Sequence, residues 1–230
     1  MFGLNNPTGV TYGSESVYRL ARGFFDGFFA ISGGIRTVGL ENVPREGGVI
    51  LAPNHFSHLD PPALACTCRH RRVLAMGKGD LWNHRVFGWL IGEIGAYPVQ
   101  RDNETEAVRW AVSVLEGGHT LLVFPEGTRG NGQTLGAIER GTAMLARHTG
   151  AQVVPVGIVG TQRIWPKGQS KPHFGHRVTV AYGEPFTYAS TAPGANEKER
   201  RRVFSLELET RILTLCGQQG LPLRSPSSGA

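Results

Sequence analysis

The chain has 230 residues, of which 40% are hydrophobic and 18% are charged. This length and composition suit a globular chain with one core and exclude a disordered protein, and the lack of a Gly-X-Y repeat excludes a collagen-like fibre. Lys and Arg number 24 against 18 Asp and Glu, which gives a formal net charge of +6. The positive excess favours anionic partners such as phosphorylated metabolites, phospholipid surfaces or nucleic acid.

The cysteines and the apolar runs bear on the cellular compartment. Cys66, Cys68 and Cys216 have no CxxC spacing, and an odd number without that spacing is typical of a reducing compartment. No run approaches the ~18 uninterrupted apolar residues of a spanning helix, and the N-terminus lacks a signal-peptide pattern. We therefore predict a cytoplasmic protein that is neither secreted nor transmembrane.

The first predicted element is an amphipathic helix over residues 16–31. Its apolar stripe consists of Val17, Leu20, Phe24, Phe28 and Ile31 and is widened by Phe25 and Phe29. Such a stripe either packs on the core or lies in the interfacial layer of a membrane, and one helix can do both. We assign residues 1–33 to an N-terminal amphipathic segment that contacts an anionic phospholipid surface.

Short apolar runs then alternate with helical patterns along the chain. The runs predict strands over residues 35–40, 49–52, 72–76, 96–100, 120–124, 152–158 and 177–182. Helical patterns cover residues 61–69, 81–94, 104–115 and 135–148, and a closing helix begins at the N-cap Asn196 and stops at Gly217. The alternation predicts a single α/β domain over 34–216 with a mainly parallel, mixed sheet flanked by helices, followed by a flexible tail over 217–230.

Polar side chains follow four of these strands. The second strand leads into residues 54–60, the third into Lys78, the fourth into Arg101, and the fifth into residues 125–130. Each cluster alone has an ordinary explanation: Lys78 and Arg101 as solvated charges, and Asp60 before Pro61 as a helix cap. Because the carboxyl ends of parallel strands meet at one edge, we expect the clusters to form one site.

The residue types in these clusters suit transfer to a hydroxyl group on a phosphorylated acceptor. A neutral imidazole at His55 takes the hydroxyl proton, and Asp60 fixes its tautomer and stabilises the imidazolium. Arg101 and Arg129, with Lys78 as a third cation, bind phosphate. The backbone of Gly127 and the hydroxyl group of Thr128 suit close approach to an oxyanion.

Four segments together resemble the glycerolipid (lysophosphatidic acid) acyltransferase family. Asn54-His55-Phe56-Ser57-His58-Leu59-Asp60 resembles its His-x4-Asp motif, and Phe124-Pro125-Glu126-Gly127-Thr128-Arg129 resembles its phosphate-binding motif. Residues 95–101, which end in Arg101, are similar to the block between them, and residues 153–158 are similar to the fourth, apolar block. A single His-x4-Asp is common by chance, whereas all four in this order are specific.

The resemblance implies a glycerol-3-phosphate acyltransferase-like fold and a phospholipid-synthesising O-acyltransferase that uses no metal, other cofactor or covalent enzyme intermediate. An acyl group would pass from acyl-CoA or acyl-carrier protein to lysophosphatidic acid, at the inner face of the cell membrane. His55 is then the base and Asp60 its partner. The residues expected to bind substrate or shape its pocket are Asn54, Ser57, Lys78, Arg101, Glu126, Gly127, Thr128 and Arg129.

A basic loop over residues 160–177 follows the sixth strand. It carries Arg163, Lys167, Lys171 and Arg177 among glycine and proline residues. Such a loop is either simply solvated or contacts the phosphates of CoA or the acidic surface of a carrier protein. Under the second interpretation, charge reversal at Lys167 and Lys171 raises the Michaelis constant of the acyl donor.

Three other functions remain as alternatives. The acceptor could be glycerol 3-phosphate or another lysolipid. A metal-dependent hydrolase could use His55, His58 and Asp60, although the remaining histidines follow no ligand motif that pairs with them. A non-catalytic lipid-binding relative would keep the arginines and lose the His–Asp pair, which this chain has. Since the sequence shows no groove-reading helix and no basic residues interleaved with aromatics, we expect no nucleic-acid partner.

Overall fold

All seven predicted strands are present in the computed structural model, which describes residues 13–99, 104–191 and 196–226. They are β1 (Ile35–Val38), β2 (Val49–Pro53), β3 (Val73–Lys78), β4 (Ala96–Val99), β5 (Thr120–Leu122), β6 (Gln152–Val159) and β7 (Val178–Tyr182). They form a single sheet in the order β1-β7-β6-β2-β5-β3-β4. The predicted α/β class and mixed, mainly parallel sheet are therefore confirmed.

The strand directions decide where the polar clusters meet. Neighbouring strands run parallel except for β6 and β7, which pair antiparallel from Val156 opposite Tyr182 to Val159 opposite Thr179. Strands β2 to β6 consequently end at one edge, here called the carboxyl edge. Because β2 lies between β5 and β6, the residues that follow β2 are flanked by those that follow β5 and β6.

Within the described residues, seven α-helices connect or flank the strands. They are α1 (Glu15–Ser32), α2 (Asp60–Thr67), α3 (Arg85–Glu93), α4 (Glu104–Glu116), α5 (Arg140–Thr149), α6 (Thr161–Ile164) and α7 (Glu197–Gln218). The helix predicted over 81–94 is interrupted, because residues Gly79–Asn83 form a 3-10 turn before α3. The helix predicted from 135 begins only at Arg140, since the backbone N–H groups of residues 135, 136 and 139 bond to partners outside it.

The sheet buries both of its faces. Ile50 and Ala52 of β2 point toward one apolar cluster with residues of α4, α5 and α7, and Val49 and Leu51 point toward the other, which contains α2 and Phe29 of α1. Alternate residues of one strand thus serve two cores, as expected for a covered sheet. This explains why the β2 run in the sequence is continuously apolar.

Helix α1 has one buried and one exposed apolar face. Ser14 caps it by accepting a hydrogen bond from the backbone N–H of Val17, and Phe29 is fully buried against the sheet. On the other side Leu20, Phe24 and Ile31 are 77%, 68% and 77% exposed. No helix within the described ranges is long and apolar enough to cross a membrane.

The C-terminal segment is more ordered than the sequence indicated. Helix α7 continues through Gly217 to Gln218. After it, the backbone of Arg224 exchanges hydrogen bonds with Gln133 and Leu135, and Leu221 and Leu223 pack on the core. Of the tail predicted to be flexible, residues up to 226 thus make apolar contacts and backbone hydrogen bonds; residues 227–230 lie outside the described part of the chain.

Candidate active site

The carboxylate of Asp60 organises the turn that follows β2. Its Oδ2 accepts hydrogen bonds from the backbone N–H groups of Phe56 and Ser57, each at 2.8 Å, and lies 2.9 Å from Nδ1 of His55. The carboxylate is fully buried. Asp60 is the first residue of α2 and bonds backward to the turn, so the prediction that it caps its own helix is wrong. Pro61 and Pro62, which have no N–H group, leave little there to cap.

The imidazole ring of His55 is held in one orientation. It stacks on Phe124, with ring centroids 3.6 Å apart and planes at 17°, and its side chain is only 16% exposed. With a carboxylate beside Nδ1, the neutral ring carries its proton on that nitrogen and its lone pair on Nε2. The arrangement therefore presents a base at Nε2 and a counter-charge that stabilises the imidazolium.

Glu126, which follows β5, positions the same turn from the other side. Its Oε1 accepts the backbone N–H of His55 at 2.7 Å, and its Oε2 accepts that of Gly136 at 2.7 Å. Burial raises the pKa of Glu126 to about 7, although these two N–H donors lower it, and nearby Asp60 raises it further. Of the two roles predicted for Glu126, these contacts fit shaping the pocket, since a carboxylate repels phosphate.

Residues 127–130 form a turn that is anchored to His55. Gly127 has a φ of 65°, in the left-handed region that favours glycine, and both Gly127 and Thr128 are exposed. The N–H of Gly130 donates to the carbonyl oxygen of His55 at 2.8 Å. A side chain at Gly130 would come within 2.9 Å of the Phe56 ring. Arg129 thus lies next to Gly130, the residue that bonds directly to His55.

Asn54 and Ser57 do not face the open site. Both are fully buried. The amide group of Asn54 exchanges two hydrogen bonds with the backbone of Ile158, at 2.9 and 2.7 Å, and the hydroxyl group of Ser57 donates to the carbonyl oxygen of Trp165 at 2.7 Å. The prediction that they bind substrate is therefore corrected: Asn54 fastens the end of β2 to β6, and Ser57 fastens the turn to the basic loop.

Lys78 lies farther along the carboxyl edge. Lys78 is the last residue of β3 and is exposed, with β5 between its strand and β2. Arg101 lies outside the described residues. The structure thus brings His55, Asp60, Glu126 and the 127–130 turn together, and it places Lys78 on the same edge.

Thr161 is a site residue that the sequence analysis did not identify. It is the first residue of α6, directly after β6, and its hydroxyl group donates to Oδ1 of Asp60 at 2.6 Å. One indication of its role was present in the sequence, because Thr161 follows a strand that ends at the carboxyl edge. A threonine before a basic loop is too common to single out from sequence alone.

The described residues contain no ligand set for the metal site of the alternative hydrolase function. Within residues 13–99, 104–191 and 196–226, no group of three His, Cys, Asp or Glu side chains is placed to hold a metal ion. Partial burial lowers the pKa of His58, the neighbouring Arg129 and then His55 lower it further, and Asp60 raises it. His58 therefore favours its neutral form.

A histidine beside a buried carboxylate, at the edge of a mixed α/β sheet, is an arrangement that can activate a hydroxyl group. Residues 34–159 match the acyltransferase family. This match covers more than half of the chain and contains every residue of the site except Thr161. The chain belongs to the acyltransferase family, which confirms the predicted family and enzyme class.

Individual relatives agree with this assignment. The chain is 27% identical over 190 residues to a 1-acyl-sn-glycerol-3-phosphate acyltransferase of Streptococcus pneumoniae. This alignment covers 80% of this chain and 68% of that protein. It is 25% identical over 203 residues to the Bacillus subtilis protein of the same name, covering 86% and 96%. The crystal structure of the Thermotoga maritima acyltransferase PlsC superposes with a TM-score of 0.73 at 24% identity, over 88% of this chain and 80% of that one, and shows the same fold.

Proposed function

We propose that the protein transfers an acyl group from a thioester donor to the free hydroxyl group of 1-acyl-sn-glycerol 3-phosphate, giving phosphatidic acid. The observation that carries the proposal is the 2.9 Å contact between Nδ1 of His55 and the buried Asp60 carboxylate. Relatives that carry this name in Streptococcus pneumoniae and Bacillus subtilis support the choice of acceptor.

The chemistry follows from the orientation of His55. Nε2 removes the proton of the acceptor hydroxyl group as its oxygen attacks the thioester carbonyl carbon. The C–S bond then breaks, and the thiolate leaves with the proton that the imidazolium returns. Asp60 stabilises the imidazolium during this exchange, and it is itself held by three N–H or O–H donors besides the imidazole ring. No metal, other cofactor or covalent enzyme intermediate enters the proposed steps.

The acceptor phosphate binds to the cations around His55 in this proposal. Arg129 is the principal candidate, because its neighbour Gly130 bonds directly to the backbone of His55. An arginine can bind a phosphate group through two parallel hydrogen bonds, which orients the adjacent glycerol hydroxyl group as well as retaining the ligand. Lys78 and Arg101 are proposed to contribute to phosphate binding as well, and Thr128 offers a hydroxyl group beside Arg129.

We also propose that the enzyme works at the surface of an anionic phospholipid membrane, on its cytoplasmic side. The exposed stripe of Leu20, Phe24 and Ile31 on α1 supports this placement, since large exposed apolar side chains in a row favour an apolar partner. Helix α3 exposes Val86, Phe87 and Trp89 as well. The net charge of +6 favours anionic lipids.

A panel of acceptors tests the proposal. Labelled acyl-CoA and, in a separate series, labelled acyl-carrier protein serve as donors. The acceptors are lysophosphatidic acid, glycerol 3-phosphate, monoacylglycerol and a lysolipid whose phosphate group is esterified to a headgroup. We expect the highest kcat/KM with lysophosphatidic acid. Equal rates with monoacylglycerol would contradict a phosphate-binding acceptor site, and preference for glycerol 3-phosphate would assign the enzyme to the first acylation instead.

A further inference from the structure

A cavity of about 750 Å³ is lined in part by Phe56, the residue after His55, and by Gly130 of the 127–130 turn. Its lining also includes Arg129, Arg163 and Lys167 of the basic loop, and Leu221. Its volume falls within the ~300–1,000 Å³ of sites for small molecules and cofactors. Of these residues, the proposed acceptor chemistry uses only Arg129.

The charge of the cavity indicates an anionic occupant. Three of its lining residues are cationic, and no Asp or Glu belongs to the lining among the described residues. Several of the other lining residues are glycines or carry amide or hydroxyl groups, which suit close approach of a polar ligand. Arginine and lysine side chains in such a lining would bind phosphate groups.

The position of the cavity distinguishes the two substrates. In the acceptor, the phosphate group is attached to the same small glycerol unit as the reacting hydroxyl group, so it must lie close to Nε2 of His55. In an acyl-CoA donor, a long pantetheine arm separates the phosphates from the thioester. His55 is not among the residues that line the cavity, whereas its neighbour Phe56 is. An acyl-CoA donor can therefore place its phosphates at Arg163 and Lys167 and still present its thioester to His55.

We infer that this cavity binds the phosphate-bearing nucleotide end of an acyl-CoA donor, an inference that rests on the proposed acyl transfer. The volume of the cavity suits a nucleotide, whereas a folded carrier protein binds over a larger surface. Arg163 and Lys167 are the residues assigned to the donor. Arg129 remains with the acceptor phosphate at the boundary of the cavity.

The basic loop supplies a matched control. Lys171 lies on the same loop as Arg163 and Lys167 and is exposed, yet it does not line the cavity. The sequence alone grouped Lys167 with Lys171 as donor contacts, and the cavity separates them. Lys167 also donates from Nζ to the carbonyl oxygen of Arg129 at 2.9 Å, so its replacement disturbs the 127–130 turn. Arg163 therefore provides the cleaner test.

The experiment measures acyl-CoA kinetics and direct CoA binding in the full-length protein. For Arg163→Ala we expect the KM for acyl-CoA and the Kd for CoA, measured by calorimetry, to rise about tenfold, which corresponds to one lost charge-assisted contact. The KM for lysophosphatidic acid should stay within about twofold, and Lys171→Ala should leave all three values unchanged. Lys167→Ala should weaken CoA binding as well.

Three outcomes would overturn the inference. They are equal CoA affinity in wild type and Arg163→Ala, an equal loss in Lys171→Ala, and activity with acyl-carrier protein but none with acyl-CoA. The direct binding measurement separates this inference from the proposed function. If acyl transfer fails while Arg163-dependent CoA binding remains, the proposed acceptor is wrong. If transfer succeeds with an unchanged KM for acyl-CoA, only the assignment of the cavity is wrong.

Discussion

The hydroxyl group of Thr161 donates a 2.6 Å hydrogen bond to Oδ1 of Asp60, so the end of β6 directly supports the carboxylate that orients His55. Both residues are buried. The other carboxylate oxygen, Oδ2, faces His55 and the backbone N–H groups of Phe56 and Ser57. The two oxygens of Asp60 thereby join the β2 and β6 ends into one rigid unit.

Replacement of Thr161 by valine should impair turnover without weakening substrate binding. Valine keeps the shape and removes the donor, which frees the carboxylate to rotate away from His55. We expect kcat to fall about 10- to 100-fold, with little change in the KM of either substrate. Thr161→Ser, which restores the donor, should recover most of the activity. A loss of the same size in both variants would indicate a packing role only.

Arg129→Ala should discriminate between acceptors according to their phosphate group. Removing a charge-assisted phosphate contact worth about 1.5–3 kcal/mol lowers kcat/KM for lysophosphatidic acid about 10- to 100-fold. The rate with monoacylglycerol, which lacks the phosphate group, should be nearly unaffected. Steady-state kinetics on the two acceptors make the comparison. Parallel losses on both would place Arg129 outside the phosphate site.

The raised pKa of Glu126 predicts a pH-dependent contribution to stability. Its carboxyl group has a pKa of about 7 in the folded protein against 4.5 for an unperturbed group. Between these values the folded chain binds a proton that the unfolded chain has released, so the contribution is complete below 4.5 and is lost as the pH rises through about 7.

Glu126→Gln removes this titration and isolates its effect. Free energies of unfolding from urea titrations at about pH 5 and about pH 8 should show wild type losing stability relative to the variant at the higher pH. The variant also loses one of the two N–H acceptors, which lowers its stability at both pH values. A wild-type advantage that grows with pH would contradict the raised pKa.

The exposed face of α1 should govern attachment to vesicles. Phe24→Asp and Ile31→Asp remove exposed apolar side chains, each worth about 1.5–3 kcal/mol when fully buried. We expect the partition coefficient onto anionic vesicles to fall about tenfold or more in sedimentation. Leu206→Asp, on the exposed side of α7, is the matched control and should sediment like wild type. Phe28 is unsuitable for this test because it packs on Phe29 and Phe174.

The strands and the catalytic pair could be predicted from sequence because they depend on local patterns. Apolar runs such as that of β2 mark buried strands, and His55 with Asp60 lie in one short motif whose contact closes within a single turn. The antiparallel direction of β7 could not be predicted, since it depends on how the basic loop returns the chain to the sheet.

Roles that depend on distant contacts were predicted poorly. Asn54 and Ser57 belong to the motif, but their partners Ile158 and Trp165 come from more than a hundred residues away, and only those contacts show that the two side chains are structural. Thr161 was missed for the same reason. The tail beyond α7 has a composition typical of flexible ends, yet backbone pairing at Arg224 and the burial of leucines hold it in place.

The most direct test of the account is acyl transfer to lysophosphatidic acid by His55→Ala, with His58→Ala as the neighbouring control. General-base catalysis contributes about 10²–10⁴-fold, so we predict that His55→Ala loses at least about 1,000-fold in kcat while its circular dichroism and CoA affinity stay those of wild type. His58→Ala should retain most of its activity. A His55→Ala enzyme whose kcat stays within about tenfold of wild type would contradict the role of this imidazole as the base.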